Sequence, residues 1–463
     1  MIARRDPASF RDEAGHVYDI DGRIVRSIRA GAAEDYVFLR DSGLISSLVE
    51  RGWLIESREV PVETLQEQGA VFACEHLRLP FISYPYEWSF GGLQAAALLT
   101  LDIHLEALAH GATLVDASAF NVQFIGARPI FIDLLSLRRY QDGDYWRAQS
   151  QFCDHFLNPL LLQAALGVSH AAWFRGTLDG IPTQAMMALL PWRWKLRWTV
   201  LSNLVLPGYF QRRVGRLDSG FETAHIKRGN LPREALMAML RQLRNFIAGL
   251  RPHATATLWH DYECRHSYAD LEQTRRDGLV KDFAARLRPE TLWDIGCNTG
   301  RFSVQALEGG ARRVIGFDVD VDTVNIAFSR AAATKLDFLP LLLDVSNPTP
   351  DQGWLQTERR GLSQRRNADA ILALAVLHHM VIGRNIPFGE AIDWLVSLAP
   401  AGLIEFVPRT DPMVQRMLAL RVGASFADYD ETNFIRHLER NARIVAVHDT
   451  SAAGRRLFEY ARD

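Results

Sequence analysis

Lysine is nearly absent from this 463-residue chain: none precedes Lys195, and arginine carries almost all of the positive charge. A GC-rich genome accounts for such a bias, and it excludes any chemistry that needs a lysine in the front part of the chain. Cysteine is scarce too. Cys74, Cys153, Cys264 and Cys297 lie far apart with no CxxC pair, which excludes a zinc ribbon or a disulfide framework and suits a reducing cytoplasm. Long apolar runs are missing: no uninterrupted stretch reaches the roughly 18 residues of a spanning helix. The opening "MIARRDPASFRDEAGHVYD" has no apolar core of signal-peptide length. An excess of one charge is also lacking. The formal net charge is −2, so there is no global electrostatic case for a nucleic-acid partner.

What is present is a balanced globular composition, 48% hydrophobic and 23% charged over 463 residues, enough for two or three domains. Residues 215–232, "GRLDSGFETAHIKRGNLP", are polar, glycine-bearing and end in proline, as a linker does. A helical stretch, "REALMAMLRQLRNFIAGL", follows. The expected division is a first domain over 1–214, a linker and connecting helix over 215–250, and a second domain over 251–463.

From about residue 290 short apolar runs alternate with helix-period segments: "TLWDIG", "RVIGFD", "FLPLLLD", "AILALAVLHH" and "GLIEFVP", then "RIVAVHD" and "RRLFEYA". Buried strands alternating with helices predict an α/β, Rossmann-like, mainly parallel seven-stranded sheet. Only "TSAAG" separates the last two runs, so the sheet should finish in an antiparallel pair. In such sheets ligands bind beyond the carboxyl ends of the strands, where strand order reverses. Those ends carry Asp294 with the loop Gly296–Gly300, then Asp318, Asp344, the pair His378 and His379, and Glu405.

The loop "DIGCNTG" spaces its glycines as D-x-G-x-x-x-G, not G-x-G-x-x-G. The carboxylate of Asp294 would serve a pyrophosphate poorly and a cationic ligand with an adenosine and an amino-acid tail better. Asp318 falls at the end of the second strand, placed for two ribose hydroxyls, and Asp344 at the end of the third, placed for an exocyclic adenine amine. These residues resemble the motifs of class I S-adenosylmethionine-dependent methyltransferases over about residues 255–463. The resemblance implies a methionyl site at Asp294, Gly296, Asn298 and Gly300, ribose at Asp318, and adenine near Asp344 and Val345. The pattern "LDVSNPTPDQGW … ADAILALAVLHHM … IPFGEAIDWL … LIEFVPRTDPMVQRML" is similar to a narrower bacterial group that includes methyltransferase-like nodulation proteins.

Methyl transfer to an alcohol needs a base for the departing proton. At the fourth strand end, His378 and His379 are candidates for catalysis, at most one of them facing the cleft; the other reading is a packing histidine. Glu405 is a charge in an apolar strand and needs a cation, such as Arg409; it either contacts the acceptor or forms a structural ion pair. Trp259, Tyr262 and Tyr268 precede a helix and fit either an aromatic lid on the acceptor pocket or an ordinary packed segment. No cluster has metal-ligand spacing.

In the front half a long helix-period segment leads to Asp116, then Asn121, then a strand-turn-strand and Asp133. This order resembles the catalytic and metal-binding loops of kinase-fold proteins over about residues 14–210, which implies an α+β kinase-like domain with Mg-ATP as a candidate ligand. The departures are heavy. There is no glycine-rich loop before residue 90 and no helper lysine, with Arg26 the candidate substitute. Leu114 and Leu135 stand where the family has histidine and glycine. A domain that has lost or altered phosphoryl transfer follows. Residues 188–214 hold basic residues and tryptophans but no acid, a segment that either lies peripherally on the inner membrane or is a buried helix with snorkelling arginines.

The expectation is a cytoplasmic, two-domain methyltransferase acting on a hydroxyl of a glycan, lipid-linked sugar or small metabolite. Its front half binds the acceptor or a regulator. The alternatives are a bifunctional kinase–methyltransferase and a non-catalytic adenosyl-ligand-binding scaffold.

Overall fold

The computed structural model describes residues 4–65, 67–206, 231–253, 270–421, 426–451 and 453–462. Two compact units make up the chain: Met1–Phe124 with Arg128–Thr255 and Asp351–Arg359, and Ile125–Ala127 with Ala256–Pro350 and Arg360–Asp463.

The first unit opens with an antiparallel sheet in the order β1 (Arg4–Arg5), β2 (Val17–Ile20), β3 (Arg23–Arg29), β5 (Ala70–His76), β4 (Ser57–Val60). Asp21 and Gly22 join β2 to β3, both at positive φ (51° and 86°), the two-residue turn whose twist matches that of the strands. Ile20, Val25, Leu65 and Ala73 form a core cluster on this sheet. The helix Phe90–Ala109 follows, started by Ser89, whose hydroxyl accepts from the Gly92 N–H (3.2 Å). It is apolar on most faces and correspondingly buried. The helix Arg233–Gly249 packs along it. Arg244 donates through Nε and Nη2 to the two oxygens of Asp102 (2.5 and 2.9 Å), and Gln94 donates to the carbonyls of Ile247 and Leu250 (2.7 and 3.1 Å). Beyond Ala109 come β6 (Ala112–Leu114), β7 (Val122–Ile125), β8 (Arg128–Phe131) and β9 (Leu137–Arg139), with β6 paired to β9 and β7 to β8.

The second unit is built on one seven-stranded sheet. Its strands are β10 (Thr291–Ile295), β11 (Arg313–Asp318), β12 (Phe338–Leu342), β13 (Ala370–Ala373), β14 (Ala401–Phe406), β15 (Arg443–Asp449) and β16 (Arg456–Ala461), in the order β12-β11-β10-β13-β14-β16-β15. The first five are parallel. The terminal hairpin differs in detail from a simple appended pair: β16 lies between β14 and β15 and is antiparallel to both. β10 is buried along its whole length, which is why Leu292, Trp293 and Ile295 are apolar; its polar residues Thr291 and Asp294 are buried too. It neighbours β11 on one side and β13 on the other, so chain direction along the sheet reverses there. That reversal opens the ligand crevice beyond Ile295 and Ala373.

The fourth strand is shorter than its apolar run. Pairing stops at Ala373; Ala375 takes φ +55°, and its N–H leaves the ladder for the Glu405 carboxylate (2.7 Å). His378 therefore precedes a π-helical turn, His379–Gly383, instead of closing a strand. Among the described residues no helix is long and apolar enough to cross a membrane.

Candidate active site

The turn after β10 has a left-handed shape that requires glycine at two of its positions. Gly296, Asn298 and Gly300 have φ of 77°, 48° and 84°. A Cβ on Gly296 would lie 2.3 Å from Val376 Cγ2, and one on Gly300 would lie 2.4 Å from Phe338 Cε1. Both positions thus need glycine for conformation and for space. The Gly296 and Cys297 N–H groups donate to the Phe317 carbonyl (2.7 and 3.0 Å), which binds the turn to the end of β11. There Asp318 accepts from Asn298 N–H at Oδ2 (2.9 Å) and from Asp320 N–H at Oδ1 (3.0 Å). Burial raises its pKa while these two donors pull it down. A carboxylate is acceptor-only with about four lone-pair sites, so this one, already oriented by backbone, keeps acceptor capacity for a diol. The cradle and the carboxylate fit an adenosyl ligand.

Asp294 lies beneath the turn. It is 1% exposed, Ser303 Oγ donates to its Oδ2 (2.6 Å), and burial together with the nearby Asp318 pushes its pKa up to about 7. Its first role is to tie β10 to the helix Arg301–Gly309. Asp344 and Val345 follow β12, both half-buried. Asp344 accepts from the Ser346 N–H and hydroxyl (2.9 and 2.6 Å), and Arg384 lies 3.3 Å from its other oxygen.

The histidine pair adjoins the glycine turn through Val376. His379 and Met380 N–H both donate to the Val376 carbonyl (2.9 and 3.1 Å), while the Val376 side chain faces Gly296. The two rings are 4.2 Å apart at 39°, and their exposures differ. His378 is fully buried with neither ring nitrogen hydrogen-bonded among the described residues, and burial drives its pKa well below the ordinary value. His379 is half-buried, with its pKa lowered to about 4 by burial. Both are neutral at pH 7.

Glu405 is completely buried, and its cation is Arg276, not Arg409. Arg276 Nη2 donates to Oε2 (2.9 Å), as does Ala375 N–H (2.7 Å). Arg409 turns instead to the Phe426 carbonyl (2.6 Å). Arg276 comes from the helix Asp270–Leu287 and lies 5.0 Å from the Phe302 ring. Glu405 is thus the keystone that joins that helix, the bend after β13 and β14. Trp259, Tyr262 and Tyr268 fall outside the described residues.

In the first unit Asp116, Asn121 and Asp133 do come together. Asp116 Oδ1 accepts from Ser118 N–H and Gln151 (2.9 and 2.8 Å). Asn121 donates to Ser136 Oγ (3.0 Å), whose hydroxyl donates to Asp133 Oδ2 (2.5 Å). Arg26 on β3 reaches the same cluster, with Nη1 2.8 Å from Asp133 Oδ1 and Nη2 on Asp12.

No family model matches the chain. The nodulation protein NoeA of Rhizobium meliloti (strain 1021) is 40% identical over 462 residues, spanning 99% of this chain and 96% of that protein. The chain belongs to the NoeA family. Among solved structures, magnesium protoporphyrin IX methyltransferase of Synechocystis PCC 6803 with bound S-adenosylhomocysteine covers 43% of the chain and 90% of itself, at 20% identity and a TM-score of 0.31. The N-methyltransferase NodS of Bradyrhizobium japonicum WM9, with the same ligand, covers 45% and 93% at 15% identity and a TM-score of 0.32. WbdD covers 41% of the chain and 40% of itself at 18% identity and a TM-score of 0.29. The strand order of the second unit, with its antiparallel strand inserted next to last, is the class I methyltransferase fold in this NoeA-family chain.

Several residues that shape the NoeA-family site carry no sequence signal. Arg276 is one arginine among many, Ser303 sits in an ordinary helix, and Arg384 lies in a loop. Phe338 is legible only as an apolar strand residue, although it is what forbids a side chain at Gly300.

Proposed function

We propose that the second unit transfers a methyl group from S-adenosylmethionine to a hydroxyl of a glycan, lipid-linked sugar or small metabolite. One observation carries this: the left-handed glycine turn and the Asp318 carboxylate are built into a single backbone-bonded cradle at the strand ends. Gly296, Asn298 and Gly300 would border the methionyl part, Asp318 would hold the ribose, and Asp344 and Val345 would border the adenine. When bound, the cofactor supplies an electrophilic methyl on a sulfonium, so the protein's task is alignment and deprotonation. His379, neutral and the more accessible of the pair, accepts the hydroxyl proton at a ring nitrogen. His378, sealed and in tilted ring contact with it, fixes the ring. Glu405 is a positioning residue that holds the bend on which both imidazoles stand.

The first unit is assigned the recognition of acceptor or regulator. A specific observation favours this over a bifunctional kinase–methyltransferase: Arg26 already neutralises Asp133, the carboxylate on which a metal-bound nucleotide would depend.

The test is calorimetric titration with S-adenosylmethionine and, separately, Mg-ATP. Donor binding that Asp318→Ala weakens at least tenfold is expected, with no heat from Mg-ATP. With extracted cell glycans as acceptors, His379→Ala should slow S-adenosylhomocysteine release on the order of a hundredfold or more. No donor binding by the wild type would end the proposal, and ATP turnover lost in Asp133→Ala would replace it with the bifunctional one.

A further inference from the structure

Over its described residues, 188–206, the tryptophan-rich segment of the first unit is a surface, not a buried helix; residues 207–214 of that segment lie outside the described residues. Its inner side is anchored: Met186, Leu190, Val200 and Leu204 are buried, and Asn203 accepts from Gln149 (2.8 Å). Its outer side is apolar and open. Trp192 is 74% exposed, Leu196 68%, Trp198 63% and Leu189 47%. Arg193, Lys195 and Arg197 are interleaved with them, and among the described residues none of the three pairs with a carboxylate. Arg197 lies 3.8 Å from the Trp194 ring centroid. From Gly180 through Leu217 the chain contains no Asp or Glu.

We infer that this face, Leu189 to Trp198, docks on an anionic phospholipid bilayer, independently of what the second unit methylates. Exposed indole rings belong at the polar–apolar boundary of a bilayer, where an amphipathic ring has one wet side and one apolar side. The bases answer the negative potential of an acidic leaflet, and their aliphatic stems lie along the same apolar surface. A second copy of the chain is the poorer occupant. A two-fold interface brings each patch onto itself, which would bury three unpaired cations on each side against three more. Single-stranded nucleic acid is poorer too, because Leu189 and Leu196 offer no stacking plane.

The experiment is flotation of the full chain with vesicles of phosphatidylcholine alone and of phosphatidylcholine with about a third phosphatidylglycerol. Binding is expected to the acidic vesicles only and to weaken with salt. Each base near an acidic leaflet strengthens binding about fivefold. Reversing Arg193→Glu, Lys195→Glu and Arg197→Glu together should therefore weaken it a hundredfold or more. Trp192→Ala with Trp198→Ala should abolish it while leaving the thermal transition in place, because both side chains lie outside the core. No flotation with acidic vesicles at low salt, equal flotation with neutral ones, or indifference to either set of substitutions would overturn the inference. So would a concentration-dependent dimer that Trp192→Ala dissociates, or displacement from vesicles by single-stranded RNA.

Discussion

Replacing Arg276 by methionine removes the guanidinium from a carboxylate with no exposed surface. The Arg276 and Glu405 side chains are 3% and 0% exposed and 2.9 Å apart, and Glu405 Oε1 has no hydrogen-bond partner among the described residues. Stranding such a charge costs about 3–5 kcal/mol, whereas removing both charges of a buried pair is often near neutral. Arg276→Met should therefore lose about 3–5 kcal/mol in urea unfolding at pH 8. Arg276→Met with Glu405→Gln should recover at least half of that, because glutamine still accepts from Ala375 N–H. The sign of the pH dependence follows. Burial already raises the Glu405 pKa against the pull of Arg276, and without Arg276 it rises further. A carboxyl whose folded pKa lies above its unfolded value loses its stabilising contribution as pH rises through the folded pKa. The deficit of Arg276→Met should accordingly shrink between pH 8 and pH 5, and the double variant should show no such trend. A single variant within about 0.5 kcal/mol of wild type, or a double variant no better than the single, would refute the keystone role of this pair. It would return Glu405 to the list of groups available to an acceptor.

Gly300→Ala forces both a positive φ and a 2.4 Å approach to Phe338. It should cost about 1–3 kcal/mol and abolish the donor titration heat; wild-type binding would refute the cradle. His104, His155 and His170 are buried and neutral, with pKa lowered by burial to about 3, about 4 and about 4. The unfolded chain binds more protons there, so stability falls as pH drops below 6.5, by about 2 kcal/mol per histidine between pH 7 and pH 5. Unfolding midpoints flat across that range would contradict it. Arg26→Ala leaves Asp12 and Asp133 without the cation they share and should cost about 2–3 kcal/mol, partly restored in Arg26→Lys. An unchanged urea midpoint would show that the cluster needs no cation.

The composition and pattern of this chain already dictate much. A fully buried parallel strand is mostly apolar, and a left-handed position with no room for a Cβ has to be glycine. The seven-stranded sheet, the turn Gly296–Gly300 and the acids at the strand ends are therefore written locally. So is the surplus of arginine that any ion pair must draw on. Partner choice is not local. Glu405 reaches Arg276 from across 129 residues and not the nearby Arg409, Arg26 takes Asp133, and Arg384 takes Asp344. Each pairing is decided by which side chains the packing brings within about 3–4 Å, and sequence spacing does not encode that distance. The placement of β16 between β14 and β15, and the outward turn of Trp192 and Trp198, have the same origin. A hydrophobic period says that a face exists, and only the arrangement of the other elements decides whether that face meets protein or solvent.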